Sequence, residues 1–139
     1  MEALSATAEP QVWLIHNFMS ATECAALRRL PETLAPAELS NSGGGSQVRD
    51  LRTAEMSGLK KNANSSAFYY RAEVMTGLSM TFAEKVQVLN YGRGGYSEEH
   101  MDLLGPWTME TYGDRLATLL VYLSDVAEGG TTAFAKAGL

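Results

Sequence analysis

The sequence predicts an α+β fold, with strand and helices over the first 82 residues and a β core after them. Two observations carry that prediction. Before residue 83 the apolar residues recur with a helical period of 3.6, and from Ala83 on they alternate with period 2. The stretch RLATLLVYLSDV (Arg115 to Val126) is apolar on both faces, the pattern of a strand buried inside a sandwich.

The 139 residues suffice for one domain with one modest core. Apolar residues make up 45% and charged residues 19%, the balance of an ordinary globular protein. Net charge is -5, and among the 11 basic residues only Arg28-Arg29 and Lys60-Lys61 are adjacent, so neither nucleic acid nor an anionic membrane is an expected partner. The longest apolar run, Leu116 to Leu123, is interrupted by Thr118 and too short for a membrane span. The opening MEALSATAEPQVW lacks the basic and apolar regions of a secretory signal. Cys24 stands alone, which excludes an internal disulfide; on a helix it reads as a buried, inert thiol, and it leaves the compartment open.

In chain order, QVWLIHNF reads as a strand, and its His16 as a packed or surface residue rather than a ligand. SATE has the form of a capping box, Ser20 and Glu23 satisfying each other's amides. The helix it starts carries Cys24, Leu27 and Leu30 along one side and ends at Pro31. SNSGGGSQ (Ser40 to Gln47) is a flexible loop by composition, and VRDLRTAEM, with Arg49 and Arg52, a strand. NANSSAFYYRAEVMTGLS contains a short helix broken near Gly77. Its adjacent Phe68, Tyr69 and Tyr70 cannot share a face, which favours core plus partial exposure over an aromatic recognition box. In KVQVLNY, Val86 and Val88 face one way, Gln87, Leu89 and Tyr91 the other. GRGG turns the chain into YSEEHMDLL; GPWTMETYGD is a loop closed by Gly113-Asp114; AEGG is a tight turn before TTAFA. Four core strands are thus expected, at about 86–91, 97–103, 115–123 and 131–135, with no internal repeat.

His100 and Asp102 carry the chemistry. Residues two apart on a strand share a face, so the two side chains project together from bases roughly 6 to 7 Å apart, while Met101 points away into the packing. A neutral imidazole nitrogen beside a hard carboxylate oxygen matches two thirds of the 2-His-1-carboxylate triad of non-haem Fe(II). The glycine-rich hairpin gives a small ligand room to approach, Tyr91 closes one side, and Glu98 and Glu99 add negative charge that favours a cation. Each has a bland counterpart: a histidine paired with a neighbouring acid, a core tyrosine, a solvated acidic turn.

VQVLNYGRGGYSEEHMD followed by GDRLATLLVYLSDVAEGGTTAF resembles the iron- and 2-oxoglutarate-dependent prolyl 4-hydroxylases, the collagen type and its plant and algal relatives. The order agrees: a Glu-x-x-Gln-Val-x-x-Tyr strand, a glycine-rich hairpin, His-x-Asp, then Arg, a YLSDV-type strand and Glu-Gly-Gly-x-Thr. IHNFMSATECAALRRL resembles the family's opening strand and helix more loosely, and LRTAEM its Arg-Thr-Ser segment, with Ala54 in the serine position. The resemblance implies a double-stranded β-helix, a jelly roll of eight core strands of which about four are present. Residues 1–139 would form a single incomplete domain, 10–82 its strand and helix support and 83–139 the first half of its core.

It further implies that His100 and Asp102 are two of three Fe(II) ligands and that the Tyr91 hydroxyl contacts 2-oxoglutarate. Glu84 and Arg115 align with residues lining the peptide groove, although from the residues alone Arg115 could equally pair with Asp114 or Asp125. Ascorbate as reductant, a proline-containing peptide as substrate, and decarboxylation of 2-oxoglutarate to succinate and CO₂ coupled to hydroxylation at proline C4 are implied in the same way. So is the endoplasmic reticulum as the family's common compartment.

Two departures qualify the match. The family's tyrosine three residues before the metal histidine is Ser97 here, and the nearby Tyr96 sits one position earlier, on the other face of a regular strand. No histidine follows Asp102, and Lys136 comes too early for the family's basic anchor of 2-oxoglutarate. The expectation is therefore a hydroxylase fragment, or a module completed elsewhere, inactive alone and able to self-associate through open sheet edges. The alternatives are a non-catalytic pseudoenzyme or interaction domain and, more distantly, a partial cupin-like fold binding another divalent ion.

Overall fold

A computed structural model describes residues 1–5, 10–29, 35–36, 54–58, 63–104, 109–111 and 113–139. Helix and strand are mixed, as the sequence predicts. The chain divides into two compact units, one of Met1–Ala26 with Val121–Leu139 and one of Leu27–Leu120.

In the first unit, β1 (Glu2–Ala3) pairs antiparallel with β2 (Trp13–Leu14), Glu2 opposite Leu14 and Ala3 opposite Trp13. The Leu4 amide donates to the Val12 carbonyl at 2.8 Å, and the Val12 amide to Ser5 Oγ at 3.0 Å. The strand expected over QVWLIHNF is cut short because a turn begins at His16 and Asn17 takes a φ of 55°, a left-handed conformation that Asn tolerates better than most side chains. Val12 and Phe18 are buried. His16 lies at the surface, its Nε2 3.3 Å from Glu2 Oε2.

The capping box forms as expected. The Ser20 amide and hydroxyl both donate to Glu23 Oε2 at 2.8 Å, and the Glu23 amide donates back to Ser20 Oγ at 3.3 Å. It opens α1 (Ala21–Arg29), which buries Leu27 and half-buries Cys24; the predicted stop at Leu30 and Pro31 lies outside the described residues. At the far end of the unit, Gly129 and Gly130 turn the chain with φ of 73° and 69°, and Tyr122 and Thr132 are joined by a 2.7 Å hydroxyl hydrogen bond.

The second unit contains an antiparallel sheet ordered β3 (Ala35–Pro36), β4 (Glu55–Gly58), β5 (Gln87–Asn90). Pro36, which has no amide to donate, sits on an edge strand, where its lack costs least. The loop 40–47 and most of the strand expected over 48–56, with Arg49 and Arg52, lie outside the described residues; β4 takes in only its last two residues, Glu55 and Met56. Helix α2 (Ala63–Thr76) is longer than the short helix predicted, and it stops where Gly77 takes a φ of 69° and donates its amide to the Glu73 carbonyl.

The three aromatics of α2 divide as adjacency requires. Tyr69 is buried, Tyr70 is 71% exposed, and Phe68 is half-buried with its ring edge-on to Tyr69 at 5.8 Å. The Tyr69 phenol donates to the Glu84 carbonyl at 3.2 Å and accepts from the Val86 amide at 3.1 Å, tying α2 to the lead into β5. Along β5 and the residue before it, Val88 is buried and Val86 half-buried, as the expected parity requires; Leu89, expected on the other face, is half-buried as well.

Of the four predicted core strands, only the first is in a ladder among the described residues. Residues 97–103 contribute a single bridging residue, Ser97; residues 115–123 form no ladder and bend at Leu116; and the expected strand at 131–135 gives way to a 3₁₀ turn, Ala135–Ala137, closed by Gly138. Alternation and β-branching favour an extended backbone, but a strand also needs a facing partner for its amides and carbonyls, and a pattern does not supply one. The both-sided apolar stretch is accordingly not enclosed: Leu116 is 87% exposed, and Leu120, Tyr122 and Val126 are exposed too. No helix among the described residues is long and apolar enough to cross a membrane.

Candidate metal half-site

The arm that carries His100 and Asp102 is defined at both ends by local chemistry. At its start, the Gly95 amide donates to the Gly92 carbonyl at 2.9 Å, with Gly94 at a φ of 74°. A positive φ at the third residue, after Arg93, is the pattern of a type II turn, and glycine adopts it without penalty. At its end, Asp114 Oδ1 accepts from the Leu104 amide at 2.9 Å and from the Arg115 amide at 2.8 Å. One carboxylate oxygen thus clips the end of the arm to the start of the next segment.

Between these points His100 Nε2 and Asp102 Oδ1 lie 3.2 Å apart, with both side chains partly open to solvent. On the other side of the ring, His100 Nδ1 is 2.7 Å from the Glu98 carbonyl oxygen. A carbonyl only accepts, so Nδ1 carries the hydrogen, and in a neutral imidazole Nε2 presents its lone pair to the carboxylate. Two acceptors so placed call for a positive charge between them, either a proton on Nε2 or a metal ion. Donors about 2.1 Å from one ion at a right angle stand about 3 Å apart, so the pair fits two adjacent positions of a coordination sphere. A carbonyl behind the imidazole is also the usual device that fixes which nitrogen faces the metal.

Asp102 is held from the segment after Asp114. Its Oδ2 accepts from Thr118 Oγ1 at 2.7 Å, and its backbone carbonyl lies 3.4 Å from Arg115 Nη1. Strict strand parity would put residues 115 and 118 on opposite faces; the bend at Leu116 lets both reach one residue. Arg115 meets the Glu84 carboxylate with two nitrogens, Nε to Oε1 and Nη2 to Oε2 at 2.9 Å. That fork holds the Glu84 carboxyl below its ordinary value and the guanidinium above its own, in each case chiefly through the hydrogen bond between them.

Of the residues singled out from the sequence, His100, Asp102, Glu84 and Arg115 are therefore joined in one hydrogen-bonded network. The open alternatives for Arg115 resolve to Glu84, since Asp114 spends its Oδ1 on backbone amides. Tyr91 and Tyr96 are 42% and 48% exposed, so Tyr91 is not a core residue. Met101, expected in the packing, is exposed. Sequence reading missed Thr118, Asp114 and Tyr69. A signal existed for Thr118, the one aliphatic hydroxyl within the apolar run Leu116 to Leu123, and for Asp114, placed directly after a turn glycine at φ 82°. Nothing local marks Tyr69 over its aromatic neighbours. Among the described residues no three His, Cys, Asp or Glu side chains cluster as a metal site.

No family model matches the chain, and no solved structure does. Curated proteins do. Prolyl 4-hydroxylase subunit alpha-3 of Homo sapiens is 34% identical over 139 aligned residues, covering 94% of this chain and 26% of that protein. Prolyl 4-hydroxylase subunit alpha-1 of Homo sapiens is 33% identical over 140, with 94% and 26% covered. Probable prolyl 4-hydroxylase 3 of Arabidopsis thaliana is 32% identical over 136, with 94% and 47% covered. The chain spans about a quarter of the alpha subunits' length and about half of the plant protein's.

Proposed function

This chain belongs to the prolyl 4-hydroxylase family, and from that premise we propose that it carries part of the catalytic core of a 2-oxoglutarate- and Fe(II)-dependent dioxygenase acting on proline in peptides. In this reading the segments 86–91, 97–103, 115–123 and 131–135, of which only the first lies in a ladder here, would complete their pairing as jelly-roll strands with polypeptide outside the 139 residues, which would also bring the third metal donor and the basic anchor for 2-oxoglutarate. Open edges of such a half-barrel also give it a surface for self-association.

The observation that carries the proposal is the His100–Asp102 pair, with Nε2 and Oδ1 3.2 Å apart and the far imidazole nitrogen tied to a backbone carbonyl. His100 and Asp102 would hold the iron. When bound, the metal would supply activation of O₂ for decarboxylation of 2-oxoglutarate and hydroxylation of the substrate, with ascorbate as reductant. The rest falls to the chain's own groups. Glu98 keeps the imidazole in the tautomer that offers Nε2. Tyr91 offers an exposed hydroxyl to 2-oxoglutarate. Glu84 and Arg115, already paired, would present a preformed polar rim to a peptide, to which the exposed Tyr96 would add an aromatic ring.

The test is Fe(II)-dependent release of succinate from 2-oxoglutarate by a polypeptide joining this chain to the remainder of such a core. His100→Ala and Asp102→Ala should each abolish it, and succinate release that survives both substitutions would overturn the proposal. A second reading, a non-catalytic domain that retains the pair, is favoured by the two-donor set among the described residues. No succinate release from the joined wild-type polypeptide would decide for it.

A further inference from the structure

We propose that Thr118 is a positioning residue for Asp102. Its hydroxyl occupies one carboxylate oxygen so that the other is left facing the metal position beside His100; the inference rests on the metal reading above. A carboxylate on a single bond has a broad, roughly two-fold torsional preference, so an aspartate on an exposed arm does not by itself choose which oxygen faces a neighbour. Here the choice is made. Thr118 Oγ1 lies 2.7 Å from Oδ2, and Oδ1 lies 3.2 Å from His100 Nε2. An ionised carboxylate can only accept, so the hydroxyl hydrogen must point to Oδ2, and the distance is that of a charge-assisted bond.

The two ligands are thus treated alike. Each has its non-coordinating atom tied down, His100 Nδ1 by the Glu98 carbonyl and Asp102 Oδ2 by the Thr118 hydroxyl. Such outer contacts set the orientation of metal ligands and are worth roughly 10- to 100-fold in metal affinity. The blander account is a threonine chosen for extended backbone, its hydroxyl bonding whatever lies near. Two features weigh against that. Apart from the Tyr122 phenol, which bonds Thr132, Thr118 is the one polar side chain in an eight-residue apolar run, and the bend at Leu116 turns it onto the same residue whose carbonyl Arg115 reaches. Asp102 is consequently gripped by side chain and main chain from one short segment.

The test uses the 139-residue chain, labelled for amide NMR and titrated with Mn²⁺, whose paramagnetism broadens nearby signals and so yields a site-specific Kd from the amides of residues 100–102. Thr118→Val should raise that Kd about tenfold or more, while Thr118→Ser, which keeps the hydroxyl, should stay within about twofold of the parent. A merely structural role would not produce rescue by serine. Thr118→Ala serves as a second variant should valine disturb the fold, and unchanged dispersion of the remaining amides checks that it does not. Wild-type affinity in Thr118→Val and Thr118→Ala, with binding lost in His100→Ala and Asp102→Ala, overturns the role of Thr118 alone. Broadening that persists in His100→Ala and Asp102→Ala, or is absent from the parent, overturns the metal reading and this inference with it.

Discussion

Glu84 and Asp102 both contribute a carboxylate to one network, yet they are fixed in different ways. Glu84 is placed through its backbone, where the buried Tyr69 phenol holds its carbonyl and the Val86 amide. Asp102 sits on an arm with no ladder through it, placed by exposed contacts from Arg115 and Thr118 and by the Asp114 clip on the Leu104 amide. Burial of an aromatic side chain stabilises by several kcal/mol, whereas exposed polar contacts contribute about 1 kcal/mol or less each. One end of the network is therefore part of the fold's stability, and the other is part of its geometry only.

That contrast can be broken most directly at Tyr69. Tyr69→Ala should lower unfolding stability by about 3 to 5 kcal/mol in a urea titration, and Tyr69→Phe, which removes only the hydrogen bonds, by about 1 kcal/mol. A loss below about 1 kcal/mol for the alanine variant would remove the distinction between the two ends. The second cut is at the clip. Asp114→Ala frees the Leu104 and Arg115 amides to water and should cost about 1 kcal/mol, while amide exchange of Leu104 rises by more than that of Val88. Equal changes at both amides would mean that the arm and the sheet open as one.

The smallest effect is in pH. Because Arg115 holds the Glu84 carboxyl below its ordinary value, the fork's contribution is complete above about pH 4.3 and is lost as pH falls through the lowered value. The stability difference between the parent and Glu84→Gln should then be constant between pH 6 and 8, amount to under about 1 kcal/mol for so exposed a pair, and shrink in acid. A difference that grows as pH falls would show the pair to be unfavourable.

What could be read in advance follows the range of each interaction. The capping box of Ser20 and Glu23 is complete within four residues, so it is written in the local sequence and found as written. The inner parity of Val86 and Val88, the glycine turn and the shared face of His100 and Asp102 are likewise set by backbone geometry over a few positions. Tyr69 reaches 15 and 17 residues ahead, Thr118 reaches back 16, and Arg115 meets a glutamate 31 residues away. Such partners depend on how segments lie in space, which no periodicity encodes. The strands expected at 97–103 and 115–123 fail as ladders for the same reason: their extended character is local, and their pairing is not.

The exposed stretch after Arg115 has a consequence for handling the protein. Nine successive uncharged residues, Leu116 to Ser124, combine high hydrophobicity with β-forming side chains and no proline, and Arg115 and Asp125 are the charges that bracket them. Flanking charges of this kind act as gatekeepers against intermolecular stacking. Arg115 thus serves solubility as well as the network. A loss of function on replacing it must be separated from clumping by light scattering before it is assigned to the site.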